Sequence, residues 1–286
     1  MKYDKLFACA AAGIHAGESG RVQTVRMDES VVPGCMFSDV SWYTRPFSSD
    51  GMIRHDSDEV CMFAGSDPGE PENLGAEIEF RIENDRLMLT DTCFVFVPKG
   101  AAHGIMSVKS LKKPFIRCSC HLNISEYAFV PAEASEPAGK YAGNAVMRYE
   151  PVDGKLPEAP EGFLHRLLWM DGKKLAGAPY IESVWFMTTN DTGPAPHAHD
   201  FDEIIGFIGT DPEHPEELGA EIHFCVEDEE IPVNKSCLIY IPRGVKHSPI
   251  YVPSLKRPII HFSGGNGGDY ARKNALSESN NYKPGM

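Results

Sequence analysis

The 286-residue chain predicts an all-β protein in which one unit is made twice. Two observations carry that prediction. Short runs rich in Val, Ile and Phe, such as ESVWFMTT, EIIGFIG, AEIHFCVE, SCLIYIP and RPIIHFS, are divided by Pro, Gly and Asp turns. Their alternation has period two, which belongs to strands and not to helices. The pattern also recurs at a fixed interval: His55 and His199, Glu59 and Glu203, Pro98 and Pro242, and His103 and His247 all stand 144 residues apart. From Val40 to Ile116 the register holds without a gap, and roughly two-fifths of the aligned positions are identical, which marks an internal duplication.

Taken in order, residues 1–20 form an N-terminal segment. Its apolar run is too brief for an export signal, and Asp4 interrupts what would be the basic leader. Residues 21–130 are the first unit, with strands at DVSWYT, EVCMFAG, AEIEFRIE, TCFVFVP and KPFIRCSC. Residues 131–160, rich in Pro, Ala, Gly and Glu, read as a connector with a short strand near Ala145 to Tyr149. Residues 161–265 are the second unit and 266–286 a tail. Within the units, the LGAEI segments bearing Glu77 and Glu221 read as an added strand, each behind a rigid loop, DPGEPE or DPEHPE. Asp228-Glu229-Glu230 reads as a solvated loop.

A formal net charge of -14 argues against nucleic acid or anionic lipid as a partner. No apolar stretch is long enough to cross a bilayer. The 8 cysteines lie mostly in strand-like runs and lack the density of a disulfide scaffold, so they are expected to be buried free thiols in a cytoplasmic protein. Cys118-Ser-Cys120-His121 reads as a strand with two thiols on one face, with no second cluster to complete a soft metal site.

The chemistry concentrates in HAHDFDEIIGFIG, residues 197–209. In a strand, His197 and His199 point to one face. Glu203 opens the next strand at an even spacing, and His247 follows the turn Pro242-Arg243-Gly244. Three imidazoles and a carboxylate suit a divalent transition metal: Fe, Mn, Ni, Zn, Co or Cu. The earlier copy keeps His55, Glu59 and His103 but has Ile53 where the leading histidine should be. It is either a weaker second metal site or a retired one whose polar remnants pair with one another. Arg117 and His261 occupy equivalent positions of the last strand. With strand parity open, they and Tyr251 are candidate pocket residues.

GPAPHAHDFDEIIGFIG together with PRGVKH resembles the two motifs of the cupin superfamily, and the tandem arrangement is similar to a bicupin. The glycine spacings of the first motif run slightly short, and the downstream asparagine of the second is not evident after His247. The resemblance implies two tandem β-barrels (jelly rolls), with metal inside the second barrel on His197, His199, Glu203 and His247, and association into a homodimer. The function expected is that of a metal-dependent enzyme on a small organic substrate, with dioxygenase-type chemistry slightly favoured. The alternatives are a non-redox isomerase, lyase or decarboxylase acting on a small carboxylate or sugar-like acid, and a non-catalytic small-molecule binding protein.

Overall fold

The protein is described here from a computed structural model covering residues 1–11, 20–49, 51–151, 158–268, 270 and 280–283. Part of the connector and most of the tail therefore lie outside the described residues. The chain divides into two compact units, an N-terminal half, Ala12–Arg148, and a C-terminal half, Tyr149–Met286 joined by Met1–Ala11. The described residues are strands and turns, apart from one 3-10 turn at Asp4–Leu6.

Each half contains two antiparallel sheets. In the N-terminal half one six-stranded sheet runs in the order Ala145–Val146, Cys93–Val97, Glu59–Gly65, Phe115–His121, Phe37–Tyr43, Arg21–Met27. The other runs Val130–Ala132, Met52–Arg54, His103–Leu111, Asn73–Ile82, Asp85–Asp91, with Phe47–Ser48 also paired to His103–Leu111. The C-terminal half repeats the plan. Its six-stranded sheet runs Phe7–Cys9, Cys237–Ile241, Glu203–Ile208, Ile259–Gly265, Tyr180–Phe186, Leu164–Met170. Its smaller sheet runs Glu229–Lys235, Glu217–Val226, His247–Leu255.

Burial follows the residue pattern. Asn73–Ile82 and Glu217–Val226 bury alternate side chains, whereas Glu59–Gly65, Cys93–Val97, Glu203–Ile208 and Cys237–Ile241 are buried throughout. These four strands are near-continuous apolar runs, as burial on both faces demands. Phe63, Phe80, Phe115, Ile78, Ile82 and Val95 meet in one N-terminal core. Burial of each such side chain contributes about 1.5–3 kcal/mol. Gly65 ends its strand and Gly209 directly follows Glu203–Ile208, each where only a hydrogen fits, because an added Cβ would lie 2.1 Å from the Asn73 carbonyl oxygen and 2.0 Å from that of Glu217.

Three boundaries differ from the sequence expectation. The N-terminal segment is not an appendage, since Phe7–Cys9 takes the outer position of the C-terminal six-stranded sheet. In the N-terminal half that position belongs to Ala145–Val146, from the connector. Asp228-Glu229-Glu230 is no free loop, because Glu229 opens a strand and its carboxylate accepts the backbone N–H groups of Lys2 and Tyr3 at 2.8 and 3.1 Å.

Candidate metal centre

In the C-terminal half, strand pairing assembles the candidate ligands. His197 and His247 face each other through two reciprocal backbone bonds, 3.1 Å and 2.9 Å. The His199 carbonyl accepts the Gly244 N–H at 2.9 Å, which fastens the turn before His247. Asp202 accepts the Arg243 N–H at 2.8 Å, so the second aspartate of DFDE shapes the turn. Glu203 begins its strand between Ile241 and Gly265. Glu227, at φ 52, accepts the Lys246 N–H at 2.8 Å and thereby holds the residue next to His247.

The four side chains are buried, at 2–3 % exposure each. Ligand nitrogens of His197, His199 and His247 lie within 4.8 Å of one another. Nδ1 of His197 is 2.6 Å from the Ala195 carbonyl and Nδ1 of His247 is 3.3 Å from that of Val245. A carbonyl only accepts, so each Nδ1 carries the proton and each Nε2 lone pair is left for the cavity. Nε2 of His247 and His199 stand 2.9 and 3.4 Å from Glu203 Oε2, a buried oxygen with no hydrogen bond of good geometry. Burial alone would raise the Glu203 carboxyl, but His247 and His199 outweigh it and hold it well below the usual carboxylate range. Convergent lone pairs on an ionised carboxylate fit a divalent cation.

A cavity of about 80 Å³ opens on these ligands. His197, Glu203 and His247 line it together with Phe163, Val184, Phe186 and Ile205. Its polar lining includes Arg166, Tyr149 and Glu182. Tyr149 donates to Glu182 and is also hydrogen-bonded by Arg166. Burial and the neighbouring Glu182 raise the phenol, so Tyr149 keeps its proton. None of these three residues was singled out in the sequence, where nothing distinguishes Arg166 in LHRLLWM from a solvent-facing arginine.

Of the candidate pocket residues, His261 lines the cavity, wedged between Phe186 and Phe207 at ring distances of 4.9 and 5.0 Å. Its Nδ1 donates to the Gly206 carbonyl at 3.1 Å, and burial lowers its pKa to about 4. Tyr251 does not line the cavity. Even spacing from His247 would have placed it there, but the pairing slips by one residue, from Val226↔His247 to Phe224↔Ile250. Ile250 faces the cavity in its stead. Tyr251 lies opposite His223, where burial pushes its pKa up to about 12.

The N-terminal half builds a different centre in the same frame. Nε2 of His55 and of His103 stand 3.1 and 2.9 Å from Glu59 Oε2. Ile53 pairs with His103 where His197 would be. The missing imidazole is replaced from another strand by His121, whose Nδ1 is 2.8 Å from Ser57 Oγ. A coupled exchange makes room for it. In the C-terminal half Phe201 stacks on His199, and a Cβ at Gly265 would lie 2.3 Å from the Phe201 ring. At the equivalent N-terminal positions, Ser57 is small and His121 fills the space.

The other oxygen of Glu59 is fully engaged. Arg117 and Ser119 donate to Oε1 at 2.7 and 2.5 Å, and the Cys61 thiol donates at 3.1 Å. Burial opposes the Glu59 charge, yet Arg117, His103 and His55 hold this carboxyl well below the usual range. Burial lowers His121 to about 4, leaving it neutral. The His121 role was missed because Cys118-Ser-Cys120-His121 drew attention to the thiols. Its signal was parity, since Arg117, Ser119 and His121 share one face of the strand.

No family model matches the chain, and no curated protein matches it in sequence. Solved structures do match. A variant of the oxalate decarboxylase of Bacillus subtilis aligns with a TM-score of 0.61 at 12% identity, covering 94% of this chain and 79% of that one. The same enzyme at pH 4.6 aligns with a TM-score of 0.59 at 13% identity, covering 94% and 78%. At such identity the likeness is one of fold, an all-β architecture in keeping with the cupin resemblance of the two motifs.

Proposed function

We propose that the C-terminal half holds a divalent transition metal through His197, His199, Glu203 and His247, and that the protein is a metal-dependent lyase of the decarboxylase type acting on a small carboxylate. We further read the paired sheets of each half as two tandem cupin-type barrels. One observation carries the functional reading: a single small cavity joins His197, Glu203 and His247 to Arg166, Tyr149 and Glu182.

When bound, the cation supplies Lewis acidity to a carboxyl or carbonyl oxygen of the substrate. Arg166 presents a planar guanidinium, the side chain best matched to a carboxylate. Tyr149 keeps its proton, donates its hydroxyl hydrogen bond to Glu182 and accepts one from Arg166, so the pair orients the guanidinium that receives the substrate carboxylate. Phe163, Val184, Phe186 and Ile205 give the cavity an apolar face. A cavity of about 80 Å³ has room for on the order of half a dozen water-sized positions, which suits a compact acid. The neighbouring oxalate decarboxylase, by its name, also removes CO2 from a small acid. This charged wall favours the acid-cleaving alternative over the dioxygenase chemistry slightly favoured from sequence.

The test is protein purified without chelators, analysed for metal and offered a panel of short mono- and dicarboxylic acids, with CO2 release and O2 consumption followed together. Metal-dependent CO2 release without stoichiometric O2 uptake is expected, as is a raised KM in Arg166→Leu. Mole-for-mole O2 consumption would restore the oxidative reading, and tight binding without turnover would make the chain a binding protein.

A further inference from the structure

The strand that the N-terminus contributes to the C-terminal half ends in a facing pair of thiols. Phe7 lies opposite Ile239, Ala8 opposite Leu238 and Cys9 opposite Cys237. Ala10 N–H donates to the Ser236 carbonyl at 2.8 Å. That bond makes Ala10 and Ser236 a hydrogen-bonded pair, so Cys9 and Cys237 beside them form a non-hydrogen-bonded one. In such pairs the α-carbons approach to about 4.5 Å and the side chains converge, within the roughly 4.4–6.8 Å that a disulfide spans. The two sulfurs are 3.1 Å apart. Cys9 is exposed and Cys237 is buried. Cys118 and Cys120, with sulfurs 3.5 Å apart, are both buried and sit two residues apart on one strand, beyond the reach of an oxidant.

We propose that Cys9 and Cys237 are a thiol–disulfide pair whose oxidation fastens the N-terminal strand to the C-terminal half. The oxidant class is a low-molecular-weight disulfide such as oxidised glutathione. The Cys9 thiolate attacks one glutathione sulfur, the glutathione S–S bond breaks, and one glutathione leaves as thiolate. Cys237 sulfur then attacks the Cys9 sulfur of the mixed disulfide, and the second glutathione leaves, taking up the Cys237 proton. Two protein thiols are oxidised and one glutathione disulfide is reduced to two thiols.

The environment assigns the order of attack. Cys9 meets solvent, and its hydrogen bond with Cys237 lowers the Cys9 pKa, favouring thiolate there. Burial holds Cys237 well above the usual thiol range, so it reacts only with its neighbour. Without the bond, the strand is held by three residue pairs, by the Ala10–Ser236 backbone bond and by Glu229 on the Lys2 and Tyr3 N–H groups. The link would also brace Cys237–Ile241, which pairs with Glu203 at its far end.

The experiment exposes the full chain to oxidised or reduced glutathione, blocks remaining thiols, and maps peptides by mass spectrometry without reduction. A Cys9–Cys237 linked peptide is expected as the main oxidised product, with the melting temperature raised by several degrees. Cys9→Ser should abolish both effects, and Cys237→Ser should leave Cys9 trapped as its glutathione adduct. Wild-type protein that retains Cys9 as a free thiol or as a stable glutathione adduct, with Cys237 unlinked, overturns the proposal. Because metal content and CO2 release are not the readout, this test stands apart from that of the proposed activity.

Discussion

Arg117 and His261 stand 144 residues apart in the repeat and show how one substitution redirects a centre. Arg117 brings a fixed cation within 2.7 Å of Glu59, whereas His261 remains neutral and leaves the charge of Glu203 to be met from the cavity. Removing one partner of a buried ion pair strands the other, at a cost of about 3–5 kcal/mol. Arg117→Leu should lose that much stability in chemical denaturation and recover part of it when Zn or Mn is added, because a divalent ion on His55, Glu59, His103 and His121 would replace the lost charge. Loss without metal rescue would mean that the N-terminal cluster has no ligand capacity. His261 gives a pH signature. Its folded pKa of about 4 lies below the ordinary value of 6.5, so between those values the unfolded chain binds a proton that the folded chain does not. Stability therefore falls as pH drops through this window. From pH 7 to 4.5 the wild type should lose about 2–3 kcal/mol more than His261→Phe, measured by denaturant titration at each pH. At this scale the convergence of His197, His199, Glu203 and His247 was legible, because their residue types and spacings are unusual together. Arg166, Tyr149 and Glu182 were not, since a polar residue's orientation depends on strand parity that a single β-bulge reverses, as it does for Tyr251.

Strands and turns position these side chains through a few backbone contacts. Glu83 and Glu227 share an uncommon φ of 52, and each accepts the N–H of the residue before a histidine, Ala102 and Lys246, at 2.8 Å. Glu227→Ala removes this support from His247 while leaving its ring in place, and loss of such supporting bonds weakens metal sites about 10–100-fold. Competition with a chromogenic chelator should show weaker metal retention in Glu227→Ala with little change in melting temperature of the metal-free protein. Equal affinity would mean that the reciprocal bonds between His197 and His247 hold the ring unaided. The strands themselves were readable from their apolar alternation and Pro-Gly punctuation. Their partners were less so. The three residues of Phe7–Cys9 carry no periodicity, and only the edge of Cys237–Ile241 gives them a place. An unpaired edge on so apolar a strand would invite association with other chains, and the N-terminal strand covers it.

At the scale of the whole chain, duplication has yielded two centres in one frame with opposite ways of satisfying a buried carboxylate. The N-terminal half neutralises Glu59 from within, through Arg117, and the C-terminal half presents Glu203 to a cavity. The repeat was plain in the sequence, as was the loss at Ile53. The compensating pair Ser57 and His121 was not, because the exchange with Phe201 and Gly265 is visible only once four distant positions are seen to share one space. This asymmetry predicts unequal responses to metal. A ligand that binds only folded protein stabilises it by about 2.7 kcal/mol at a hundredfold excess over Kd. Calorimetry with and without chelator should therefore lower the transition of the C-terminal half and leave that of the N-terminal half in place. His199→Ala should reproduce the chelated trace and remove the bound metal, whereas His55→Ala should keep the metal and shift only the N-terminal transition. Ile53→His alone should add no second ion, because Arg117 still holds Glu59, whereas Arg117→Leu, with or without Ile53→His, should raise the stoichiometry. Equal metal loss from His55→Ala and His199→Ala would show that the two halves bind alike and that the Arg117 pairing yields to a cation.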